Sequence, residues 1–469
     1  MTAPRTASLR AVLLVLLACL LAVLGYLAVV WSRQYLANRN FHPIRVPAAA
    51  APAAAVGDAL STAAPAAIPT GGQAPEPTAD GVAAALAGPL AAPELGPSVS
   101  AQVLDAGTGD PLFAHRADAS VAPASTSKLL TAAAVLTVHR ATDRFTTRVV
   151  AGAEPGSVVL VGGGDPTLSA AAAGQQPTYP EAGRISELAS RVRAALGGMP
   201  VTRVLVDDSL FSGPTTAPGW APEDTPSSYA SPITAAMVDG GRDAPGAPNR
   251  SASPQLAAGA ALAQALGGAQ VNLGNGAPAN ARVLGSVQSA PVGVLVEQML
   301  RDSDNVLAEV LARQVALAAH QPASFAGAAA AIRDTLAPLG IVVGTGMRDG
   351  SGLSVLDRIP ASALSQVLVR AEASDQSRLR PVLSGLSVAG WDGSLVEQGR
   401  FTGSAAGADG AVRAKTGSLT GVSAMAGVLT DADGRQLIFV FVADRAPSEG
   451  PTRVAIDNLA AALVHCRCR

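Results

Sequence analysis

Two lysines, Lys128 and Lys415, stand among the 33 basic residues of this 469-residue chain; every other one is arginine. Arginine stays protonated at physiological pH and cannot act as a base. A lysine amine can, once burial or a neighbouring cation removes its proton. Lys128 follows Ser125 by three positions, in Ser125-Thr126-Ser127-Lys128. On a helix that spacing is one turn, with both side chains on one face. An amine placed there can take the proton of a serine hydroxyl, which attacks poorly until a base does so. Lys415 opens a second motif, Lys415-Thr416-Gly417, and Ser303-Asp304-Asn305 lies between the two. Each fragment alone has an ordinary reading. Ser125 and Lys128 suit an exposed helix surface, Ser303 or Asp304 suits the cap of a helix starting near Asn305, and Lys415 suits a solvated strand. Their joint occurrence, with both lysines in the outer motifs, points to nucleophilic chemistry at Ser125.

Ser-x-x-Lys, Ser-Asp-Asn and Lys-Thr-Gly, in this order, are the signature set of penicillin-binding proteins and serine β-lactamases. From about Thr78 to Leu463 the chain resembles the D-alanyl-D-alanine carboxypeptidases/endopeptidases of the low-molecular-mass class C penicillin-binding type. The resemblance implies that Ser125 is the nucleophile and Lys128 its base, with burial and the charge of Lys415 both lowering the Lys128 pKa. It implies that Ser303 relays a proton, that Asn305 contacts a substrate amide and that Asp304 points away. Lys415 and Thr416 would hold the substrate's terminal carboxylate, and Gly417 would leave room for a ligand beside the strand. The backbone N–H groups of Ser125 and Ser418 would form the oxyanion hole.

Two further segments sharpen the resemblance. Gly163-Gly164-Asp165-Pro166-Thr167-Leu168 is similar to a stretch in which the aspartate, here Asp165, meets the amine of a diamino acid side chain. Asp349-Gly350-Ser351-Gly352-Leu353-Ser354 is similar to a loop lining the pocket, with Ser351 and Leu353 against substrate. Both segments are also ordinary turn chemistry. Many relatives follow this loop directly with Arg. Here the position is Val355, which departs from the pattern for recognising a side-chain carboxylate; Arg358 lies three residues on.

The implied activity is a serine-type D-Ala-D-Ala carboxypeptidase acting on peptidoglycan stem peptides, with endopeptidase cleavage of cross-links by the same site. β-Lactam antibiotics would acylate Ser125 and stay, and no cofactor or metal is required. One alternative is a serine β-lactamase. Fast deacylation in class A enzymes uses a glutamate between the second and third motifs. The glutamates there are Glu309, Glu372 and Glu397, none in a Glu-x-x-Leu-Asn context. The other alternative is a tethered, non-catalytic cell-wall-binding protein. Five scattered histidines, no Gly-x-Ser-x-Gly and no His-Glu-x-x-His leave a Ser-His-Asp hydrolase or a zinc peptidase without support.

These motifs need a scaffold. Hydrophobic residues are 49% of the chain but aromatics only 3%, so the core is expected to be Ala, Val and Leu. A net charge of −2 with no basic stripe argues against nucleic acid as a partner. Cys19, Cys466 and Cys468 leave the body of the chain cysteine-free, so no disulfide framework is implied, and the last residues read as an unstructured tail. Ala11 to Trp31 is an uncharged run of 21 residues, long enough to span a bilayer. The expectation is a cytoplasmic stub and transmembrane signal-anchor at 1–35 and a disordered Ala/Pro-rich linker at 36–77. The catalytic domain would be built from 78–143 and 292–469, with an inserted lobe at 144–291. The protein would be a single-pass cell-membrane protein with its catalytic domain outside the cytoplasm.

The expected elements suit a penicillin-binding, β-lactamase-like α/β (α+β) fold: an antiparallel sheet assembled from both chain ends and flanked by helices. Pro97 to Leu104 and Leu112 to His115 read as a hairpin about a Gly-containing turn. A helix runs from Pro123 to Leu136 with Ser125 in its first turn. Arg148 to Val161 and Val412 to Val428 each read as strand, the latter holding the third motif. Helices are expected at 292–300, 305–317 and 452–463, with a strand at 437–443.

Overall fold

The computed structural model describes residues 74–274, 276–396 and 400–469. The apolar run at 11–31, nearly all of the Ala/Pro-rich segment and Glu397 lie outside them. Among the described residues no helix is long and apolar enough to cross a membrane.

Thr78, whose hydroxyl accepts the Gly81 N–H at 3.0 Å, caps α1 (Ala79–Leu90). A hairpin of β1 (Ser98–Asp105) and β2 (Pro111–His115) follows. Short β3 (Ser120–Val121) leads into a tight helical turn, Ala124–Ser127, and then α2 (Lys128–Val138). The next stretch runs β4 (Thr146–Ala151), β5 (Ser157–Val161), α3 (Ile185–Leu196), β6 (Arg203–Asp207), α4 (Pro254–Ala265), β7 (Gln270–Leu273) and β8 (Val283–Gln288). It continues through α5 (Val292–Arg301), α6 (Asn305–Ala318), α7 (Phe325–Leu336), β9 (Ile359–Pro360), α8 (Ala361–Glu372), α9 (Arg380–Ser384) and β10 (Ser387–Val388). The chain closes with β11 (Val412–Leu419), β12 (Val422–Thr430), β13 (Gln436–Asp444) and α10 (Glu449–Val464).

Two stretches expected as single strands are hairpins. Gly156 at φ 73° turns 146–161 back on itself, and Gly421 at φ 75° does the same between β11 and β12. Both need the left-handed backbone that glycine adopts freely.

The larger sheet has the order β10-β11-β12-β13-β1-β2, every pair antiparallel. It joins the first hairpin of the described chain to the last three strands. β13 explains why it stands at the centre. Ile438, Val440 and Val442 face a core shared with Leu129 and Leu130 of α2 and Leu307 of α6. Phe439, Phe441 and Ala443 face the opposite core, with Ile456 and Leu459 of α10. Side chains alternate along a strand, so one buried on both faces is apolar throughout.

A second sheet, of order β7-β6-β5-β4-β8, comes wholly from residues between the first and second motifs. Its β5–β6 and β6–β7 pairs are parallel and its β4 pairs antiparallel. Leu188 and Val192 of α3 and Leu262 of α4 pack on it.

The C-terminal tail is not free. Cys466 and Cys468 form a disulfide, and the Thr78 N–H donates to the Cys468 carbonyl. Gly81 admits this contact, since a side chain there would meet the Cys468 backbone at 2.5 Å.

Candidate active site

Ser125 lies in the turn that precedes α2, not in the α-helix itself. Ala124, just before it, sits at φ 47°, a left-handed conformation that costs a non-glycine residue free energy and is held by its surroundings. Those surroundings are two glycines from distant motifs. A Cβ on Gly417 would stand 3.0 Å from the Ser125 nitrogen, and one on Gly352 would stand 1.9 Å from the Ala124 carbonyl oxygen. The space at Gly417, expected to serve a ligand, therefore admits the backbone of the nucleophile's own turn.

Lys128, one turn on, is fully buried. Its Nζ donates to Ser125 Oγ at 2.9 Å, to Asn305 Oδ1 at 2.6 Å and to the Ser351 carbonyl at 2.7 Å. Amide and peptide oxygens only accept, so each claims one N–H. The third direction faces Ser125 Oγ. It holds an N–H when the amine is protonated and the lone pair when it is neutral. Asn305 is fixed at both ends of its amide, since Nδ2 donates to the Tyr229 carbonyl at 3.2 Å.

Lys415, on β11 and also fully buried, donates to Ser303 Oγ at 2.9 Å and to the Thr416 carbonyl at 2.8 Å. Thr416 Oγ1 donates to Ser394 Oγ at 2.6 Å. Ser303 adopts φ 55°, the second strained non-glycine residue in the cluster. Ser418, exposed on β11, follows Gly417 where the strand abuts the Ser125 turn.

The charge balance of the two lysines differs from expectation. Burial pushes the Lys128 ammonium down to about 8, opposed by the attraction of Asp349, Glu309, Asp304 and Asp357. Lys415 has no such acidic surround. Burial, then the charges of Lys128 and Arg400, hold its amine well below the usual lysine range. Lys128 thus depresses Lys415, rather than the reverse carrying the shift at Lys128.

Asp304 turns away from the cluster. Its Oδ1 accepts the Leu307 N–H at 3.1 Å, capping α6, so the capping role and the functional motif coexist. Its Oδ2 accepts from Tyr179 Oη at 2.6 Å and Arg250 Nη2 at 3.2 Å, with Arg242 at 3.8 Å. Arg250, the Tyr179 hydroxyl and Arg242 hold its carboxyl below the usual carboxylate range, overcoming burial. Composition gave no sign of this clasp, because its members are scattered over 125 residues.

The pocket loop is brought to the site. Ser351 offers its carbonyl to Lys128, and Leu353 packs in an apolar cluster with Val306, Val310 and Phe325. Asp165 is buried, and its Oδ1 accepts from the N–H and hydroxyl of Thr167 at 2.8 and 2.6 Å. Burial raises its carboxyl to about 6.

Sequence reasoning set Glu309 aside for lack of a known context. It is buried four residues after Asn305, so both share a face of α6. Its carboxylate accepts the Gly350 and Ser351 N–H groups at 3.0 and 2.8 Å. Asp349 completes the cradle, accepting from Gly352 N at 2.6 Å, Ser354 N at 2.7 Å and Trp220 Nε1 at 2.7 Å. A buried carboxyl on the motif-bearing helix was the available signal.

Residues 82–249 and 245–463 match the D-Ala-D-Ala carboxypeptidase 3 (S13) family. A carboxypeptidase of Mycobacterium tuberculosis is 43% identical over 86% of this chain and 87% of its own length. Carboxypeptidase DacB of Mycolicibacterium smegmatis is 43% identical over 87% of this chain and 89% of its own. Among solved structures, penicillin-binding protein 4 (DacB) of Haemophilus influenzae superposes with a TM-score of 0.66 at 21% identity, covering 82% of this chain and 99% of that one.

Proposed function

The chain belongs to the D-Ala-D-Ala carboxypeptidase 3 (S13) family and is a serine-type D-Ala-D-Ala carboxypeptidase, and we propose that it works through an acyl-enzyme on Ser125. The observation that carries this reading is the Ser125–Lys128 pair at 2.9 Å, with the two remaining N–H directions of Lys128 committed to Asn305 and Ser351. Neutral Lys128 takes the hydroxyl proton as Ser125 attacks the carbonyl of the penultimate D-alanine. The Ser125 and Ser418 N–H groups stabilise the charge on the attacked oxygen. Lys415 and Thr416 hold the substrate's terminal carboxylate. Lys415 also donates to Ser303 Oγ, which leaves the Ser303 hydroxyl proton to pass to the departing amine of D-alanine, while the proton that Lys128 took from Ser125 returns to Ser303 and leaves Lys128 neutral again. Water then attacks the ester, with the same groups acting in reverse.

The substrate is a peptidoglycan stem peptide ending in D-Ala-D-Ala, and cross-links between stem peptides are cut by the same steps. β-Lactams acylate Ser125. This is supported by the fold shared with the Haemophilus influenzae protein, of which a β-lactam complex has been solved. A deacylating glutamate of the β-lactamase kind finds no support at Glu309, which is buried and spent on backbone N–H groups. The uncharged run at 11–31 would anchor the chain in the cell membrane, with the Ala/Pro-rich linker carrying the catalytic part outward. Release of D-alanine from an N-acylated pentapeptide by the purified enzyme tests the reading. Turnover that disappears in Ser125→Ala supports it, and turnover that survives sinks it.

A further inference from the structure

Lys128 can act as a base only if its lone pair faces Ser125, and that depends on where its two acceptors stand. Asn305 holds one of them directly. The other, the Ser351 carbonyl, belongs to the loop 349–354, which carries no regular secondary structure to hold it. Glu309 holds it instead, through the Gly350 and Ser351 N–H groups at 3.0 and 2.8 Å. One face of α6 thus supplies both restraints on the lysine. Thr131 Oγ1, on α2 itself, adds a bond to the Gly350 carbonyl at 2.6 Å.

A carboxylate is an expensive way to fasten a loop. Glu309 is 1% exposed and buried beside Asp349, with Asp357 close by. Its cationic neighbour Arg313 donates to the carbonyls of Ser212, Pro214 and Ala323. Burial, then the neighbouring charge of Asp349, raise its carboxyl to about 8, and the cost of ionising it there is offset by the Lys128 ammonium that it faces. Its charge faces Lys128, together with those of Asp349, Asp304 and Asp357, while Lys415 faces Lys128 from β11.

We propose that Glu309 is a positioning residue for acylation: it holds the Ser351 carbonyl against Lys128 and stabilises the lysine ammonium that forms when Ser125 gives up its proton. The inference rests on the reading of Ser125 and Lys128 given above. It adds a requirement that a loop-fastening role alone would not impose, namely that the charge of Glu309 sets the pH at which Lys128 becomes a base.

The test is the second-order rate of acylation by benzylpenicillin, followed across pH for wild type, Glu309→Gln and Glu309→Asp. Gln keeps an acceptor for the loop and removes the charge. Its acidic limb should move to lower pH by about 0.5–1 unit, because an uncharged neighbour no longer favours the ammonium. Its plateau rate should fall roughly 10–100-fold. Asp keeps the charge but is one methylene short, so its rate should fall while its acidic limb stays at the wild-type position. An unmoved limb in Glu309→Gln overturns the proposal. So does a shifted limb in Glu309→Asp, which keeps the test decisive should the Gln variant fail to fold. A wild type that is not acylated at Ser125 would overturn the proposed function and this inference together, whereas normal wild-type acylation with unaltered variants would overturn this inference alone.

Discussion

Lys128 and Asn305, 177 residues apart in the chain, meet at 2.6 Å in a buried hydrogen bond, and the same lysine reaches Ser351 at 2.7 Å, 223 residues away. The base of the reaction is therefore assembled from three separate stretches of sequence. Its competence depends on how much of the amine is neutral. Burial brings Lys128 down to about 8, so roughly one molecule in ten carries the free amine at pH 7. The rate of acylation should rise with pH and level off above about 8, with the half-point reporting Lys128. Stopped-flow acylation with a chromogenic β-lactam measures this; a flat profile between pH 6 and 9 would be inconsistent with Lys128 as the base. Lys128→Gln should lose about 10²–10⁴ of the rate at every pH.

Tyr179 and Arg250 hold Asp304, the middle residue of the second motif, from a region distant in sequence. Arg250→Met removes one partner and leaves a buried carboxylate with only Tyr179 and the more distant Arg242. Breaking a buried pair in this way costs about 3–5 kcal/mol. Denaturant unfolding should show a loss of that order, while Tyr179→Phe, which removes one hydrogen bond to a charge, should cost about 1.5–3 kcal/mol. Both variants should also slow acylation, because Ser303 and Asn305 flank the residue that is released.

Asp165 gives a pH-dependent effect on stability. Its folded carboxyl is raised to about 6 by burial, from an ordinary value of 3.8. A raised carboxyl contributes stability that is full below the unfolded value and is lost as pH rises through the folded one. Asp165→Asn keeps the Oδ1 acceptor for Thr167 and cannot ionise. The variant should match wild type near pH 4 and become more stable through pH 6. The gain at pH 7 should be on the order of 3 kcal/mol. Melting curves across that range check it, and an equal offset at all pH values would show that the titration of Asp165 is not the cause.

The nucleophile's turn depends on glycine at 352, which has φ 77° and approaches the Ala124 carbonyl closely enough that a Cβ would stand 1.9 Å from it. Gly352→Ala should both destabilise the fold and displace Ser125. The expected signature is loss of acylation together with a melting temperature lowered by a few degrees, at roughly 1 °C per kcal/mol in a chain of this size. Full acylation by a folded Gly352→Ala protein would show that the loop does not set the turn.

What could be read from the sequence was local. The three motifs name Ser125, Lys128, Ser303, Asn305 and Lys415, and the helices at 292–301 and 305–318 follow from their apolar spacing. The hairpin at 146–161 was missed because Ala151 and Val158 continue an apolar run across a turn whose signal is Gly152 and Pro155-Gly156. Glu309 was passed over because its partners, the N–H groups of Gly350 and Ser351, are backbone and leave no mark on composition. The clasp at Asp304 was invisible for a related reason: Tyr179, Arg242 and Arg250 are ordinary residues until the fold buries them beside one carboxylate. The relative titration of the two lysines also depends on burial and on which one the carboxylates surround, neither of which spacing reveals.

The central claim is that Ser125 is the residue that becomes acylated. Intact-protein mass spectrometry of the enzyme after incubation with benzylpenicillin, beside Ser125→Ala, tests it most directly. The account predicts a persistent mass increase of one penicillin in the wild type and none in the variant. An adduct that survives Ser125→Ala, or rapid drug hydrolysis with no lasting adduct, would contradict it.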